Sequence, residues 1–454
     1  MSDRSDRFEL PRLGPATVVK FPDVHRDVLS NGLRLWTIPQ SDMPVVTAAL
    51  VVEGGTATDP TQLPGLASLV ADLADEGAGG RDAIQLADTL ARLGSLLEVE
   101  AGPDITTISI TTIAKNLVPA LALAADVVIR PHLAEPDLKR VRDLRLSRLR
   151  QLSRVPAAAA DRAFLGAVFG DHPYGHGALG TSTVLEAITL DDAREFWHRM
   201  VVPARSTLVI VGGMTDAEAE SAALETFGAW TAASASRSET DPKPAEPDRR
   251  LLVVDRPDAP QSELRIGHLG PSRATDEYHA LMTLNAVLGG QFTSRINRNL
   301  RETRGITYGA RTSFDMRRRG GTFTCETSVQ ADRTAEAVTE VLAELRAIQR
   351  DQAVVGEELL AAKASLTRGY VRHFETGAHL LRAAAQLITY DLDEDTFDRF
   401  VPSIEAIGSD DLTRVAQAFL RPDDSTIVVV GDAARIGATL EAAGREVVHV
   451  TPEF

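Results

Sequence analysis

His172 and His176, four residues apart in DHPYGHGALG, are the first pair whose spacing could do chemistry. On a helix, side chains four apart share a face and could grip one metal ion. Pro173, Gly175 and Gly177 break any helix here, so the stretch reads as a structural turn. His373 and His379, six apart in a helical pattern, fall on nearly opposite faces. His198 follows Trp197 and reads as a packed, hydrogen-bonded histidine. Cys325 is the only cysteine. It excludes a disulfide within the chain, a redox pair and a cysteine-based zinc finger. The sequence contains no H-x-x-E-H or H-E-x-x-H, no G-x-S-x-G, no Walker loop and no Rossmann glycine fingerprint. LGGQF, 288–292, follows a helical pattern rather than a strand and makes a poor phosphate cradle.

Three further stretches must be placed on elements before their chemistry can be judged. PGLASLVADLADEGAGG, 64–80, carries Leu66, Leu69 and Leu73 at helical spacing and stops at Gly77, as a short buried helix would. Lys139 to Arg154 is also helical in pattern, with Val141, Leu144, Leu149 and Leu152 as an apolar stripe. Arg148 lies four residues from both Leu144 and Leu152, so it is expected on the buried side. In SRINRNLRETRGITYGARTSF, 294–314, the run Arg295 to Arg304 reads as a helix whose basic end suits the dipole. Gly305 is the expected stop, and Ile306, Tyr308 and Ala310 are expected on one face of a following strand.

The 454 residues exceed what one compact core serves, so two or three domains are expected. EAITLDDAREFWHRMVVPARSTLVIVG, 186–212, and EAIGSDDLTRVAQAFLRPDDSTIVVVG, 405–431, share 11 of 27 positions at an offset of 219 without a gap. Each copy reads as a helix opened by paired aspartates, a proline break at Pro203 or Pro422, and an apolar strand ending at Gly212 or Gly431. Such a continuous apolar run suits a strand covered on both faces. One repeat of this length means duplicated domains. The expected division is an extension at 1–26, a domain at 27–230, a Ser, Ala and Pro-rich linker at 231–248, and a second domain at 249–454. Strands and helices mix without regular βαβ alternation, so the fold class is α+β, each half a mostly antiparallel sheet flanked by helices. The net charge of −16 disfavours nucleic acid. No apolar run is long enough for a membrane span, and no apolar signal region opens the sequence, which favours the cytoplasm.

Taken in order, NGLRLWTIP, VVTAALVVEGGTATD, PGLASLVADL, GDHPYGHGALGT and STLVIVGG resemble the block sequence of the pitrilysin–insulinase family of zinc peptidases, over about residues 27–435. That family includes the mitochondrial processing peptidase and is built from homologous halves. Its active members carry H-x-x-E-H just after a Gly-Leu pair. The two histidines bind Zn²⁺, the glutamate serves as general base on the metal-bound water, and a glutamate on a later helix completes the site. Matched after Gly65-Leu66, the three positions here are Ala67, Val70 and Ala71, and the later glutamate falls at Arg148. None of the four can ligate a metal, and a guanidinium would repel one. LRETRGITY, 300–308, resembles the stretch that carries an active-site arginine and tyrosine in the family's second half; here they are Arg301 and Tyr308. Such donors could hold the oxyanion of peptide hydrolysis or anchor the substrate backbone. The resemblance therefore implies a non-zinc subunit of a heterodimeric metalloendopeptidase. It would hold no cofactor of its own and act on a peptide substrate, with zinc in a paralogous partner. The alternative it leaves is a non-catalytic scaffold.

Overall fold

A computed structural model describes residues 19–40, 44–231, 250–350, 352–441 and 445–454. The expected linker lies, apart from Thr231, outside the described residues. The first half builds a six-stranded sheet from β1 (His25–Val28), β2 (Arg34–Pro39), β3 (Val45–Glu53), β4 (Leu96–Ala101), β5 (Ile105–Ile113) and β6 (Ser206–Gly212). Their order is β1-β2-β6-β3-β5-β4. The second half builds another from β7 (Leu251–Asp255), β8 (Gln261–Gly270), β9 (Thr307–Met316), β10 (Gly321–Gln330), β11 (Thr426–Gly431) and β12 (Val447–His449). Their order is β9-β10-β8-β11-β7-β12. Five strands of each sheet correspond in order and direction: β2 runs parallel to β6 and β7 to β11, while the remaining shared pairs are antiparallel. Only the closing strand differs. β1 precedes its neighbour and is antiparallel to it, whereas β12 comes from the chain end and is parallel.

The helices that bear on the site are α1 (Leu66–Ala74), α2 (Glu135–Leu152), α3 (Pro156–Phe169), α4 (Leu190–Met200), α5 (Tyr278–Leu288), α6 (Gly377–Tyr390) and α7 (Ser409–Phe419). α4 and α7 are separated by the repeat offset, and so are their first-turn bonds. Asp192 Oδ2 accepts from the Thr189 N–H at 2.8 Å, and Asp411 Oδ2 from the Gly408 N–H at 2.9 Å. The second aspartate of each pair thus satisfies an otherwise orphaned helix-end donor, beyond any general effect on the dipole.

The apolar strands are covered on both faces, as their composition requires. Leu208 and Ile210 of β6 join the first-half core, while Val209 and Val211 face the other way. Ile427 and Val429 of β11 join the second-half core, while Val428 and Val430 face away from it. What covers those second faces was not expected. α6, from the second half, lies on β3 and β6, with Leu380, Ala384 and Leu387 against Val209 and Val211. α3, from the first half, lies on β8 and β11, with Ala160, Phe164 and Val168 against Val428 and Val430. Each half therefore lends the other a helix. Burying a valine side chain is worth roughly 1.5–3 kcal/mol, so this exchange ties the halves together.

Polar contacts reinforce the exchange. Arg265 of β8, buried, donates from Nε to Asp161 of α3 at 2.6 Å and from Nη1 to Glu263 at 2.7 Å. The Asp104 carboxylate accepts from the Tyr174 hydroxyl and, at 3.0 Å, from the Arg318 N–H at the β9–β10 turn. Residues before β1 also reach across. The Phe21 ring packs on Phe374 and Phe397, and its N–H donates to Asp398 at 2.6 Å.

Candidate functional site

The first half is built around α1. Its start needs Gly65, whose φ of 96° suits glycine and whose added Cβ would lie 2.6 Å from the Gly180 nitrogen. The Asp59 carboxylate caps this end from outside the helix, accepting from the Gly65 and Ala67 N–H groups at 2.7 Å each. Burial drives the Asp59 carboxyl up to about 7 against the pull of those two bonds. His176 Nε2 lies 3.7 Å from Asp59 Oδ2, and burial pushes the imidazole pKa down. His172 is buried too, its Nδ1 accepting from the Tyr174 N–H at 3.1 Å. The two histidines thus shape the turn around Pro173–Gly175.

Ala67, Val70 and Ala71 are all buried, and Ala67 and Val70 join the first-half core. The α1 face that meets α2 is one residue further on. Ser68 and Asp72, four apart, turn toward Arg145, which donates from Nη2 to Ser68 Oγ and from Nε to Asp72 Oδ2, both at 2.7 Å. Two of the sequence-based expectations are corrected here. The positions on α1 that a shared ligand could bridge to α2 are 68 and 72, because these two side chains bond Arg145 while seven of the nine residues, 67, 70 and 71 among them, are buried. On α2, Arg148 is exposed and lines only the mouth of a cleft, Leu144 is 62% exposed, and the guanidinium turned inward is that of Arg145. The interior accepts Arg145 because Ser68 and Asp72 satisfy two of its donors; burial still pushes its pKa down, with Asp72 opposing. Its Nη1 is buried without a hydrogen-bond partner. Asp75 and Glu76 border the same cleft of about 350 Å³, and burial, followed by the charge of Glu76, lifts Asp75 to about 6. Among the described residues, no group of three His, Cys, Asp or Glu side chains could hold a metal ion. The residues at this face do not fit zinc. A guanidinium fills the position between the helices, and none of the residues lining this cleft is a histidine.

The second half presents the other pair. Arg295–Asn297 forms a single α turn that widens into a π turn over Arg298–Thr303, and Gly305 ends it at φ 65°. The π turn carries Arg301. Its guanidinium lies flat over the Phe292 ring, 3.3 Å from the centroid, and Nη2 donates to Glu302 at 2.7 Å. Nη1 is buried and unpartnered. Tyr308 is 92% exposed. It does not share a face with Ile306 and Ala310, which are buried. The reason is a bulge: Thr307 pairs with Val329, but Ala310 with Thr327, so β9 carries one extra residue there. Thr307 Oγ1 accepts from the Gly309 N–H at 3.1 Å and fixes the turn that aims Tyr308 outward.

Beside this pair lies a cleft of about 450 Å³, walled by Gly289, Gly290 and Phe292 after α5, by Gly309, Ala310 and Arg311 of β9, and by Glu263 and Glu326 of the neighbouring strands. It shares no lining residue with the cleft at Arg145, so Arg301 and Tyr308 are not joined in one pocket with α1. The sequence reading missed Phe292. The available signal was an aromatic two residues after a Gly-Gly pair, in the LGGQF stretch tested only as a phosphate cradle.

The family models match on both sides of this geometry. Residues 36–182 match the insulinase family (peptidase family M16), and residues 187–366 match the peptidase M16 inactive domain. The chain belongs to peptidase family M16. An uncharacterized zinc protease of Mycobacterium leprae is 27% identical to this M16 chain over 360 residues, 78% of this chain and 79% of the relative. Another from Mycobacterium tuberculosis is 26% identical over 424 residues, 90% and 94%. Among solved structures, a peptidase M16 inactive domain from Pseudomonas fluorescens superposes with a TM-score of 0.84 at 23% identity, covering 90% of this chain and 98% of that one. A protease from Helicobacter pylori gives 0.84 at 18% identity, covering 91% and 100%. These likenesses show the fold. No described helix of this M16 protein is long and apolar enough to cross a membrane.

Proposed function

We propose that this M16 chain is the substrate-holding, non-zinc subunit of a two-chain zinc endopeptidase. Zinc and the general base belong to a paralogous partner, while Arg301 and Tyr308 hold the peptide. The observation that carries this reading is the contrast within one chain. Arg145, Ser68 and Asp72 fill the α1–α2 face, whereas Tyr308 stands in solvent and Arg301 packs on Phe292, which lines a cleft. Match to a domain described as inactive and kinship with relatives named zinc proteases support it. Chemically, a phenol O–H and a guanidinium N–H supply what a tetrahedral intermediate lacks in an apolar site, donors aimed at the oxyanion. The chain also offers open edges for an extended peptide: β4 and β9 are each the last strand of their sheet.

The test measures peptide cleavage by the pure chain, by a zinc-bearing M16 paralogue from the same genome, and by their mixture. Cleavage by the mixture alone, lost with Arg301→Ala/Tyr308→Phe, is expected. Full activity of the doubly substituted mixture rejects the role, and failure of any paralogue to associate favours the scaffold reading.

A further inference from the structure

Arg301 is a flexible side chain on a six-residue π turn. A donor that must meet a developing charge needs its plane fixed, or part of its contribution goes to ordering it. Among the described residues, two contacts constrain its head, the Glu302 carboxylate and the Phe292 ring. Glu302 is the adjacent residue and half exposed, so it restrains weakly. The ring does more. It covers one guanidinium face at 3.3 Å, although Phe292 is itself 71% exposed. The ring also lines the neighbouring cleft, so its uncovered part borders open space. The cleft behind it is kept open by Gly309. A Cβ there would meet nothing closer than Asn297 Oδ1 at 3.7 Å, so the empty space is where a side chain would go.

We infer that Phe292 is a positioning residue for Arg301 and, on its other side, the wall of a subsite over Gly309 that receives one large side chain of the peptide. The inference rests on the proposed substrate-holding role. One ring does both jobs because its two aspects are separate: a π face stacks the cation, and its exposed remainder faces the cleft. Arg301 stays planar and poised while the substrate side chain seats beside it, so occupancy of the subsite and orientation of the donor are linked through a single rotamer. The lining joins the small residues Gly290, Gly309 and Ala310, which leave room for a side chain, to the charged Glu263, Arg311 and Glu326.

The test uses the mixture with the zinc-bearing paralogue and two quenched fluorogenic octapeptides, one with Phe and one with Ala beside the cleaved bond. Arg301→Ala is the reference. Phe292→Ala is expected to lower kcat about tenfold and to raise KM for the Phe peptide more than for the Ala peptide. Phe292→Tyr, which keeps the ring face, restores most of both. Gly309→Leu fills the cleft without a clash and is expected to raise KM about tenfold or more for the Phe peptide, with a much smaller rise for the Ala peptide. Because Phe292 and Gly309 are surface positions, unchanged thermal melts accompany these effects. If Arg301→Ala cripples the mixture while Phe292→Ala and Gly309→Leu leave both peptides unaffected, the inference is overturned. If Arg301→Ala itself has no effect, the underlying role has failed instead.

Discussion

The two halves of this chain share five strands in one order, yet their clefts have opposite characters. In the first, the helix after the long central strand is packed on its core side by Ala67 and Val70 and closed toward α2 by an arginine locked to Ser68 and Asp72. In the second, the loop after the corresponding helix leaves Phe292 at an open cleft, with Arg301 packed on its ring and Tyr308 exposed nearby on β9. A common scaffold fixes where a site could be, and a handful of side chains decides whether it is filled or presented.

The sharpest way to break the comparison is to remove the presented donors. Arg301→Ala/Tyr308→Phe in the two-chain mixture is expected to cost about 10²–10³-fold or more in kcat, measured by peptide cleavage, while leaving association of the chains intact.

A second experiment addresses the filled site. Ser68→His, Asp72→His and Arg145→Glu together place two imidazoles and a carboxylate where α1 meets α2, and are expected to confer stoichiometric zinc, read by metal analysis after dialysis. The shifted set, Ala67→His with Ala71→His, pushes two polar rings into the core. It is expected to destabilise by more than about 4 kcal/mol in urea unfolding and to bind no zinc.

The third concerns Asp59. Its carboxyl is raised in the folded chain, so the folded state holds a proton that the unfolded chain releases above about pH 4. Wild-type stability therefore loses a contribution as pH rises from about 4 toward 7. Asp59→Asn removes that proton equilibrium. Its stability relative to wild type is expected to improve across the same window by roughly 2–4 kcal/mol, and to be flat above it. A difference independent of pH would mean the carboxyl is not raised.

The smallest expected effect tests the coupling of the halves. Asp104→Asn weakens a hydrogen-bonded link between the first half and the β9–β10 turn. It should lower stability by about 1 kcal/mol and raise amide exchange near Arg318 while leaving α1 protected.

Much of the fold was legible because it is written in local pattern. The gapless repeat placed α4 and α7, and the unbroken apolar runs of β6 and β11 demanded cover on both faces. The candidate site was legible in part. Gly305 and the strand after it were legible in local pattern and Arg301 in the family resemblance, but the bulge that turns Tyr308 outward depends on a register with β10 that no local pattern encodes. Arg148 was assigned to the buried side because its neighbours were apolar. The arginine actually buried is Arg145, whose reason for being inside, Ser68 and Asp72, lies more than seventy residues away.

The amino-acid order by itself determined the repeat, most of the strands and the absence of any H-x-x-E-H or H-E-x-x-H run, since each depends on residues within a few turns of one another. Only the tertiary structure decided that α3 and α6 change sides, that Arg145 fills the space between α1 and α2, and that Phe292 meets Arg301. Those outcomes follow from which distant surfaces gain most by leaving water together, and pattern along the chain does not carry that information.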